Sequence, residues 1–468
     1  MSVQVGIDFG TSSTKIAYAQ LGVPARTARP LLFSHRLPTY ADYCLPSVAA
    51  YDKHAGGLLL GPEAAHHLTK QPWGSGLRRF KVLVAGKYER AFQDEAAAVS
   101  YRTYLGDHQL DLAACDPEAL TAVFLAFAMQ QALEQLAAIF KGSELSLAFN
   151  ICIPIDHVQN NAVYQGFRRI LSTAETLTTY LAPGDRQYRP LLERAREELT
   201  ASSGKGAEGE RRVFAIPESV AQVVCYLVSL RKRPGIHAVL DFGAGTTDVS
   251  IFNLDIPRRG QPTTWWYAAR NIPRGTAHLE RIVADYLGER NEGLTVGEDD
   301  QVVRILSRID GRSPAGDEGP LHARIVRELE ILKLRTNFAW AEGFGHLAQQ
   351  RDWMKEKVQV FVAGGGAGIP YIRHEFSQSW ANKNWGPYPL GPLPEPEDYD
   401  SLGGRAPFQR LSVAYGLTRP RPELGEHSLP ADSPDHTSPK RVRPQTDRNA
   451  VDEVSPTDGW FGSRRRRR

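Results

Sequence analysis

The chain repeats a pattern of strand, tight turn and strand at two places that lie far apart in its sequence. The first copy, VGIDFGTSSTKIAYA, runs from Val5 to Ala19, and the second, AVLDFGAGTTDVSIF, from Ala238 to Phe252. In each copy an apolar alternation leads to Asp-Phe-Gly, small residues follow, and a second apolar alternation begins. Such self-similarity indicates a duplicated domain. Two like domains side by side would place the two turns face to face across a cleft.

The residue types at these turns suit a phosphate and a metal ion. Gly10 and Gly243 let backbone N–H groups approach an anion closely. Hydroxyl donors follow at Thr11, Ser12, Ser13 and Thr246. Asp8 and Asp241 would repel a bare phosphate, but Mg²⁺ is commonly held by one or two carboxylates together with water and phosphate oxygens. The pair therefore predicts a hydrated Mg²⁺, and two ordinary hairpins with turn-forming Asp-x-Gly are the structural alternative.

A third glycine cluster favours the same chemistry. The segment Val358–Phe376 reads as an apolar strand, then Gly364, Gly365 and Gly366, then a helix with Pro370 near its first position. A strand that runs into glycines and a helix N-terminus is typical of a nucleotide or phosphate cradle. The chain contains neither G-x-G-x-x-G at this cluster nor G-x-x-x-x-G-K-[ST] anywhere, so dehydrogenase and P-loop functions lack their motifs.

Composition sets the class of protein. With 468 residues, 42% of them hydrophobic, the chain is long enough for two or three domains with sizeable cores. Its four cysteines are far apart and form no C-x-x-C, which predicts buried thiols in a reducing compartment. Neither a secretory signal nor an uninterrupted apolar run of about 18 residues is recognisable. These features together predict a cytoplasmic protein.

The C-terminal segment differs from the rest of the chain. Residues 418–468 are rich in proline and charge and poor in apolar residues, which predicts a disordered tail. The tail ends in five arginines, Arg464–Arg468, after Trp460 and Phe461. Such an end can contact an acidic membrane surface or nucleic acid, and a solvated tail is the alternative.

The two hairpins and the glycine cluster, in this order, resemble the superfamily of actin, hexokinase and the seventy-kilodalton heat-shock ATPases. Within it the heat-shock (DnaK-like) branch is the most similar. The segments that resemble that branch are Leu45–Tyr51, Arg78–Lys87, Phe149–Ala162, Ala215–Leu227, Arg327–Ala339 and Leu411–Leu417. The resemblance implies an α/β, actin-like two-lobed ATPase fold, with duplicated ribonuclease-H-like domains around a nucleotide cleft.

The resemblance also implies domain bounds. The first lobe is expected over residues 1–210, with 372–417 returning to it, and the second over residues 211–371. No counterpart of the chaperones' peptide-binding β-sandwich is recognisable, so the ATPase module is expected without its substrate-binding domain.

Site roles follow from the resemblance by matching position. Asp8 and Asp241 would hold Mg²⁺ through its waters, and Lys81 and Glu218 would stabilise the γ-phosphate and order the attacking water. Thr246 would meet the γ-phosphate. The expected nucleotide contacts are Gly10, Thr11, Ser12, Ser13, Gly243, Gly245, Glu330, Lys333, Gly364, Gly365 and Gly366. Gly368 stands where the family has an adenine-stacking arginine, which predicts weak base discrimination.

From the residues alone, each weaker site has a structural alternative. Lys81 lies in a basic segment and could belong to a solvated face. Glu218 could simply favour a helix N-terminus, and Glu330 with Lys333 could be a surface pair at i, i+3.

The function implied is that of a heat-shock-like protein that binds ATP and Mg²⁺ and hydrolyses ATP to drive lobe opening and closing. Its output would reach an unidentified partner or client protein. A filament-forming actin-like ATPase for segregation or cell shape is one alternative, and a sugar-type kinase of the same superfamily is another.

Overall fold

A computed structural model provides the coordinates of the chain. It describes residues 1–37, 39–54, 57–111, 115–153, 161–181, 188–201, 212–257, 262–289, 294–296, 299–308, 319–346, 358–377, 390–424 and 426–428. The expected contacts of Arg464–Arg468, and the end of the expected tail, lie outside the described residues.

The strands of the described part form two large sheets and one small sheet. They are β1 (Ser2–Asp8), β2 (Ser13–Gln20), β3 (Ala28–Pro30), β4 (Leu45–Pro46), β5 (Val48–Asp52), β6 (Gly57–Leu60), β7 (Leu77–Arg78), β8 (Ser146–Ile153), β9 (Val213–Pro217), β10 (Gly235–Phe242), β11 (Thr247–Asp255), β12 (Thr263–Ile272), β13 (Gln359–Ala363), β14 (Leu390–Pro392) and β15 (Glu426–Ser428).

The helices cover the sheets and connect them. They are α1 (Gly61–Leu68), α2 (Phe80–Tyr88), α3 (Glu95–Asp107), α4 (Pro117–Ile139), α5 (Asn161–Thr178), α6 (Tyr188–Ala201), α7 (Glu218–Val228), α8 (Thr276–Glu289), α9 (Asp299–Arg308), α10 (Gly319–His346), α11 (Pro370–Ser377) and α12 (Ser412–Leu417).

The two large sheets share one topology. In the first, the strands lie in the order β3-β2-β1-β8-β9, and β4 also pairs with β2. In the second, the order is β14-β13-β10-β11-β12-β15. In each sheet the central strand pairs antiparallel with the next strand of its hairpin and parallel with a later strand. The expected duplication is confirmed, and the chain has an α/β fold of two like lobes.

The register of the two hairpins matches residue for residue. Asp8 lies opposite Lys15 in the first hairpin, and Asp241 lies opposite Asp248 in the second. The offset that takes Asp8 to Asp241 also takes Lys15 to Asp248, and it is the offset between the two sequence copies. The central strands β1 and β10 are buried from their second residue onward, as expected for strands covered on both faces.

The lobes meet through a core of their own, in which helices α7 and α12 lie against strands of both sheets. The two helices cross closely, since a Cβ at Gly416 would overlap the backbone of Ala221. Gly6 of β1 likewise allows α12 to approach closely, since a Cβ there would overlap Ala414 and Leu417. These glycines are required for packing, because a larger residue would push the helices off the sheet.

Two of the expected limits between the lobes need correction. Strand β9 pairs with β8, so the first sheet extends beyond residue 210. Helix α11 contributes to the second core, and β14 pairs with β13 of the second sheet. The return to the first lobe within residues 372–417 therefore comes after β14, with α12 against β1.

The first residues of the expected disordered tail are ordered and packed. Leu424 is buried in the first core, and Arg26 pairs with Glu423 at 2.9 Å and also donates to Thr418. Strand β15 then pairs parallel with β12 and adds an edge strand to the second sheet. The tail boundary at residue 418 was wrong, since the packed part of the chain continues to Ser428.

Helix α4 is, in the described part of the chain, long and apolar enough to cross a membrane by length and composition. Most of it is buried, including the run Ala119–Met129, and it packs in the first core. Its Asp116 cap accepts hydrogen bonds from the backbone N–H groups of Glu118 and Ala119. A buried core helix passes the same hydropathy test, and the cytoplasmic location stays a prediction.

Candidate active site between the two hairpin turns

The first hairpin places an acid and a base side by side at its turn. Asp8, which is 5% exposed, ends β1, and Lys15 Nζ lies 3.1 Å from its Oδ2. Cys152 of β8 donates from Sγ to Asp8 Oδ1 at 3.5 Å. Burial opposes the charge of Lys15, but the Asp8 carboxylate, with Cys44 and the hydrogen bond to Asp8, raises the pKa of Lys15 above its ordinary value. The Asp8 carboxylate is thus held between an ammonium group and a thiol.

The second hairpin places two acids at the equivalent positions. Asp241 is 8% exposed and accepts a hydrogen bond from Gln222 of α7. Asp248 accepts from Asn271 Nδ2 at 2.6 Å. Where the first turn carries a cation, the second carries a further carboxylate.

Both turns have the same tight backbone. The missing Cβ of Gly10 lets the carbonyl of Ser13 approach, and that of Gly243 does the same for Thr246. The second turn is also anchored to the start of α8, since Thr276 N and Ala277 N donate to the carbonyl oxygens of Gly243 and Ala244 at 3.0 and 2.9 Å. These bonds satisfy two of the free N–H groups at a helix N-terminus and fix the turn in place.

The two turns touch each other. A Cβ at Gly245 would lie 2.6 Å from Thr11 Cγ2, closer than non-bonded carbon atoms approach. Ser12 is exposed at the tip of the first turn, Ser13 is buried at the start of β2, and Thr246 is half-buried. The expected face-to-face arrangement of the turns is therefore present, with the turns in contact.

Lys81 and Glu218 form a buried ion pair. Lys81 lies in α2, is 7% exposed, and places Nζ 3.0 Å from Oε2 of Glu218, the first residue of α7. The solvated-face alternative for Lys81 is wrong, because its side chain is enclosed. Burial opposes the charge of Lys81, but Glu218, with Cys152 and Asp8, raises its pKa above the ordinary value. The predicted catalytic pair thus lies within electrostatic reach of Asp8.

The second turn carries more negative charge than its surroundings neutralise. Burial, and then the carboxylates of Glu218 and Asp8, raise the pKa of Asp241 to about 7. Burial, and then Glu218 and Asp241, raise the pKa of Asp248 well above the ordinary value. A divalent cation between Asp8 and Asp241 would relieve this repulsion, and carboxylates are ligands that Mg²⁺ accepts directly or through water. The donor set fits the predicted metal.

The glycine cluster is packed onto the second hairpin. Gly364 has φ +80°, and a Cβ there would collide with Oδ1 of Asp241. A Cβ at Gly366 would lie 2.7 Å from Cβ of Phe242. Both glycines are required by close approach, whereas Gly365 is exposed beside the guanidinium of Arg410. Helix α11 follows with Pro370 first, as expected.

The expected ribose contacts are placed further along this wall. Lys333 of α10 pairs with Glu375 of α11, Nζ to Oε2 at 2.7 Å. Glu330 is exposed one turn earlier on α10. Burial, and then the carboxylates of Glu375 and Glu330, raise the pKa of Tyr371 to about 12. Lys333 is thus tied to the helix that follows the glycine cluster, and its contact with a ribose stays a prediction.

Sequence reasoning missed four groups that contact the predicted site, Lys15, Cys152, Gln222 and Asp248. For two of them a signal was present, because Lys15 and Asp248 are related by the same offset as Asp8 and Asp241. Cys152 and Gln222 carried no such signal, since their contacts depend on the pairing of β8 with β1 and on the docking of α7.

The duplicated sheets, their matched hairpins and the contacting turns define a two-lobed α/β fold of the kind that the superfamily resemblance implied. No family model and no curated protein matches the chain. Among solved structures, the chain is similar to MreB 5 of Spiroplasma citri bound to AMPPNP. The two are 14% identical, the match covers 89% of this chain and 95% of that one, and the TM-score is 0.44. This likeness supports no heat-shock identity, and the fold described here rests on the sheet order.

Proposed function

We propose that the chain binds a nucleoside triphosphate with Mg²⁺ between its two hairpin turns and hydrolyses it. The observation that supports this most is the contact of Thr11 with Gly245, which joins two turns of like backbone. Around that contact lie carboxylates suited to a metal, Asp8 and Asp241, and two enclosed ammonium groups. ATP is the nucleotide proposed.

Each charged group has a task in this proposal. Asp8 and Asp241 would hold Mg²⁺ through its waters, and the metal would supply charge neutralisation at the phosphate oxygens. Lys15 and Lys81 would face the phosphate chain, Lys15 from the first turn and Lys81 from α2. Glu218 would orient the attacking water from the start of α7. Phosphoryl transfer of this kind depends on positioning and electrostatics rather than on covalent chemistry.

Motion of the lobes would accompany turnover. Because Thr11 and Gly245 touch, phosphates can enter between the turns only when the turns separate. Such separation would act on the core between the lobes, where α7 and α12 cross at Gly416 and Ala221. Hinged closure around a ligand is a common switch in two-lobed proteins.

What nucleotide binding and hydrolysis would drive is a separate part of the proposal. A heat-shock-like role would transmit closure to a partner or client protein. An actin-like role would assemble copies of the chain into filaments for segregation or cell shape. High-speed sedimentation with and without ATP distinguishes the two roles. Only the actin-like role requires the chain to pellet with ATP and to return to solution when ATP is removed.

Thermal unfolding tests the binding step. Saturating Mg²⁺ and ATP should raise Tm by mass action, and EDTA should remove the effect. Asp8→Asn should weaken this stabilisation, whereas Glu289→Gln, which removes an exposed ion-paired carboxylate elsewhere, should retain it. A parent Tm that does not move with millimolar nucleotide would contradict the proposed site. ATP turnover by the same proteins then tests hydrolysis separately.

A further inference from the structure

The loop between α7 and β10 presents an apolar side chain to solvent. Leu230 is 91% exposed, whereas the other exposed large apolar residues of the described chain are 37–49% exposed. Val228, at the end of α7, is one of these and lies two residues away. Single apolar residues at a protein surface are common, but a nearly fully exposed leucine at a loop tip has lost almost all contact with its own fold.

The loop that carries Leu230 is held in a defined shape. Arg231 N donates to Oγ of Ser229 at 3.0 Å, and Arg233 N donates to the hydroxyl of Tyr226 at 2.9 Å. The first bond lies within the loop, the second ties the loop to the last turn of α7, and the leucine points away from the body. The exposure is therefore built into the loop.

Basic residues follow the leucine directly. Arg231 and Arg233 are exposed and Lys232 is half-buried, and none of the three pairs with a carboxylate among the described residues. An exposed apolar tip beside unneutralised basic side chains has the chemistry of the boundary between lipid headgroups and acyl chains.

We propose that this loop docks the protein on an anionic lipid surface, with Leu230 inserted among the acyl chains and Arg231 and Arg233 on the headgroups. Nucleic acid would engage the basic side chains but would leave Leu230 in water. The anionic lipid surface is the occupant that uses both features of the loop.

Docking at this loop leaves the candidate active site accessible. The loop joins β10 at its first residue, Gly235, whereas Asp241 lies at the other end of the same strand. At a rise of about 3.3 Å per residue, the two ends are roughly 20 Å apart. Lipid binding and nucleotide binding therefore use different ends of the second sheet.

Co-sedimentation of the full-length chain with vesicles tests the proposal. Vesicles of phosphatidylcholine that contain phosphatidylglycerol as the minor, anionic component should bind the chain, and pure phosphatidylcholine vesicles should bind it far less. Leu230→Ser should lower binding to the anionic vesicles about tenfold, from the loss of a buried leucine. The double variant Arg231→Ser/Arg233→Ser should lower it by at least as much. Leu334→Ser, which changes another exposed leucine on α10, serves as the control and should bind like the parent.

A second background separates this loop from the C-terminal arginines. In a full-length chain with Arg464–Arg468 all replaced by Ser, binding to the anionic vesicles should persist and should still depend on Leu230. Equal binding by the parent and Leu230→Ser would overturn the proposal, as would loss of all binding when only the five arginines are replaced. Loss of oligonucleotide binding by the Arg231→Ser/Arg233→Ser variant, with vesicle binding unchanged, would assign the loop to nucleic acid and also refute it.

Discussion

The buried pair of Lys81 and Glu218 allows a structural role to be separated from a catalytic one. Lys81→Met removes the ammonium group and leaves the Glu218 carboxylate, whose side chain is 16% exposed, without its partner. Breaking a buried ion pair from one side costs about 3–5 kcal/mol, and the lower end is expected here because Glu218 reaches some solvent. The single variant should therefore unfold at lower urea, with a loss of about 3 kcal/mol in the free energy of unfolding.

The double variant Lys81→Met/Glu218→Gln should recover most of that stability. It removes both charges, and replacing a whole buried pair by neutral groups is often close to neutral. Turnover should not recover, because removing one preorganised cation from a phosphoryl-transfer site costs about 3 kcal/mol in the barrier, or roughly a hundredfold in rate. Urea unfolding and single-turnover ATP hydrolysis on the parent, both single variants and the double variant supply the measurements.

Two outcomes would refute this reasoning. If the double variant regained the parent rate along with the parent stability, the pair would serve the fold alone. If Lys81→Met kept both stability and rate, the enclosure of Lys81 in the structure would itself be contradicted.

Three further expectations concern the second turn and the chain end. Because the folded pKa of Asp241 is raised from 3.8 to about 7, the native state binds more protons than the unfolded state in this window, so stability without Mg²⁺ should fall by about 2–3 kcal/mol between pH 5 and pH 7. Asp241→Asn should show a smaller fall, since only the contribution of Asp248, whose pKa is also raised, then remains. A pH profile identical to that of the parent would refute this assignment. Gly245→Ala should lower the free energy of unfolding by about 1–3 kcal/mol, because the added methyl group overlaps Thr11. Adding Thr11→Ser to this variant should restore part of the loss. An unaltered unfolding curve for Gly245→Ala would show that the turns do not touch. Truncation after Leu417 should lower Tm, whereas truncation after Ser428 should not, since only the first removes the packed residues; equal Tm values would contradict that packing.

The duplicated part of the fold could be read from the sequence because its signal is local. Apolar alternation, Asp-Phe-Gly and small residues predict a strand, a turn and a strand wherever they occur, and the constant offset relates the two copies. The buried thiols were likewise predicted from a local feature, the wide spacing of the four cysteines, and the structure confirms them.

The rest depended on contacts between distant segments. Strand β9 belongs to the first sheet because it pairs with β8, and the sequence Val213–Pro217 alone does not predict which strand it pairs with. The packing of Leu424 similarly results from a few favourable contacts in a segment whose average composition is typical of disorder. A solvated face was the alternative for Lys81 because its neighbours in sequence are basic, whereas its buried ion-pair partner, Glu218, lies 137 residues away.

Helix α7 begins at Glu218 in the candidate active site and ends at Val228, where the exposed loop with Leu230 starts. Its 11 residues make a rod of roughly 16 Å, and Gln222 fixes the rod to Asp241 near its first turn. Because a helix is stiff along its axis, a tilt of α7 at Glu218 would displace the loop that follows Val228. If nucleotide binds at the cleft and the loop docks on a surface, this one helix would couple the two events.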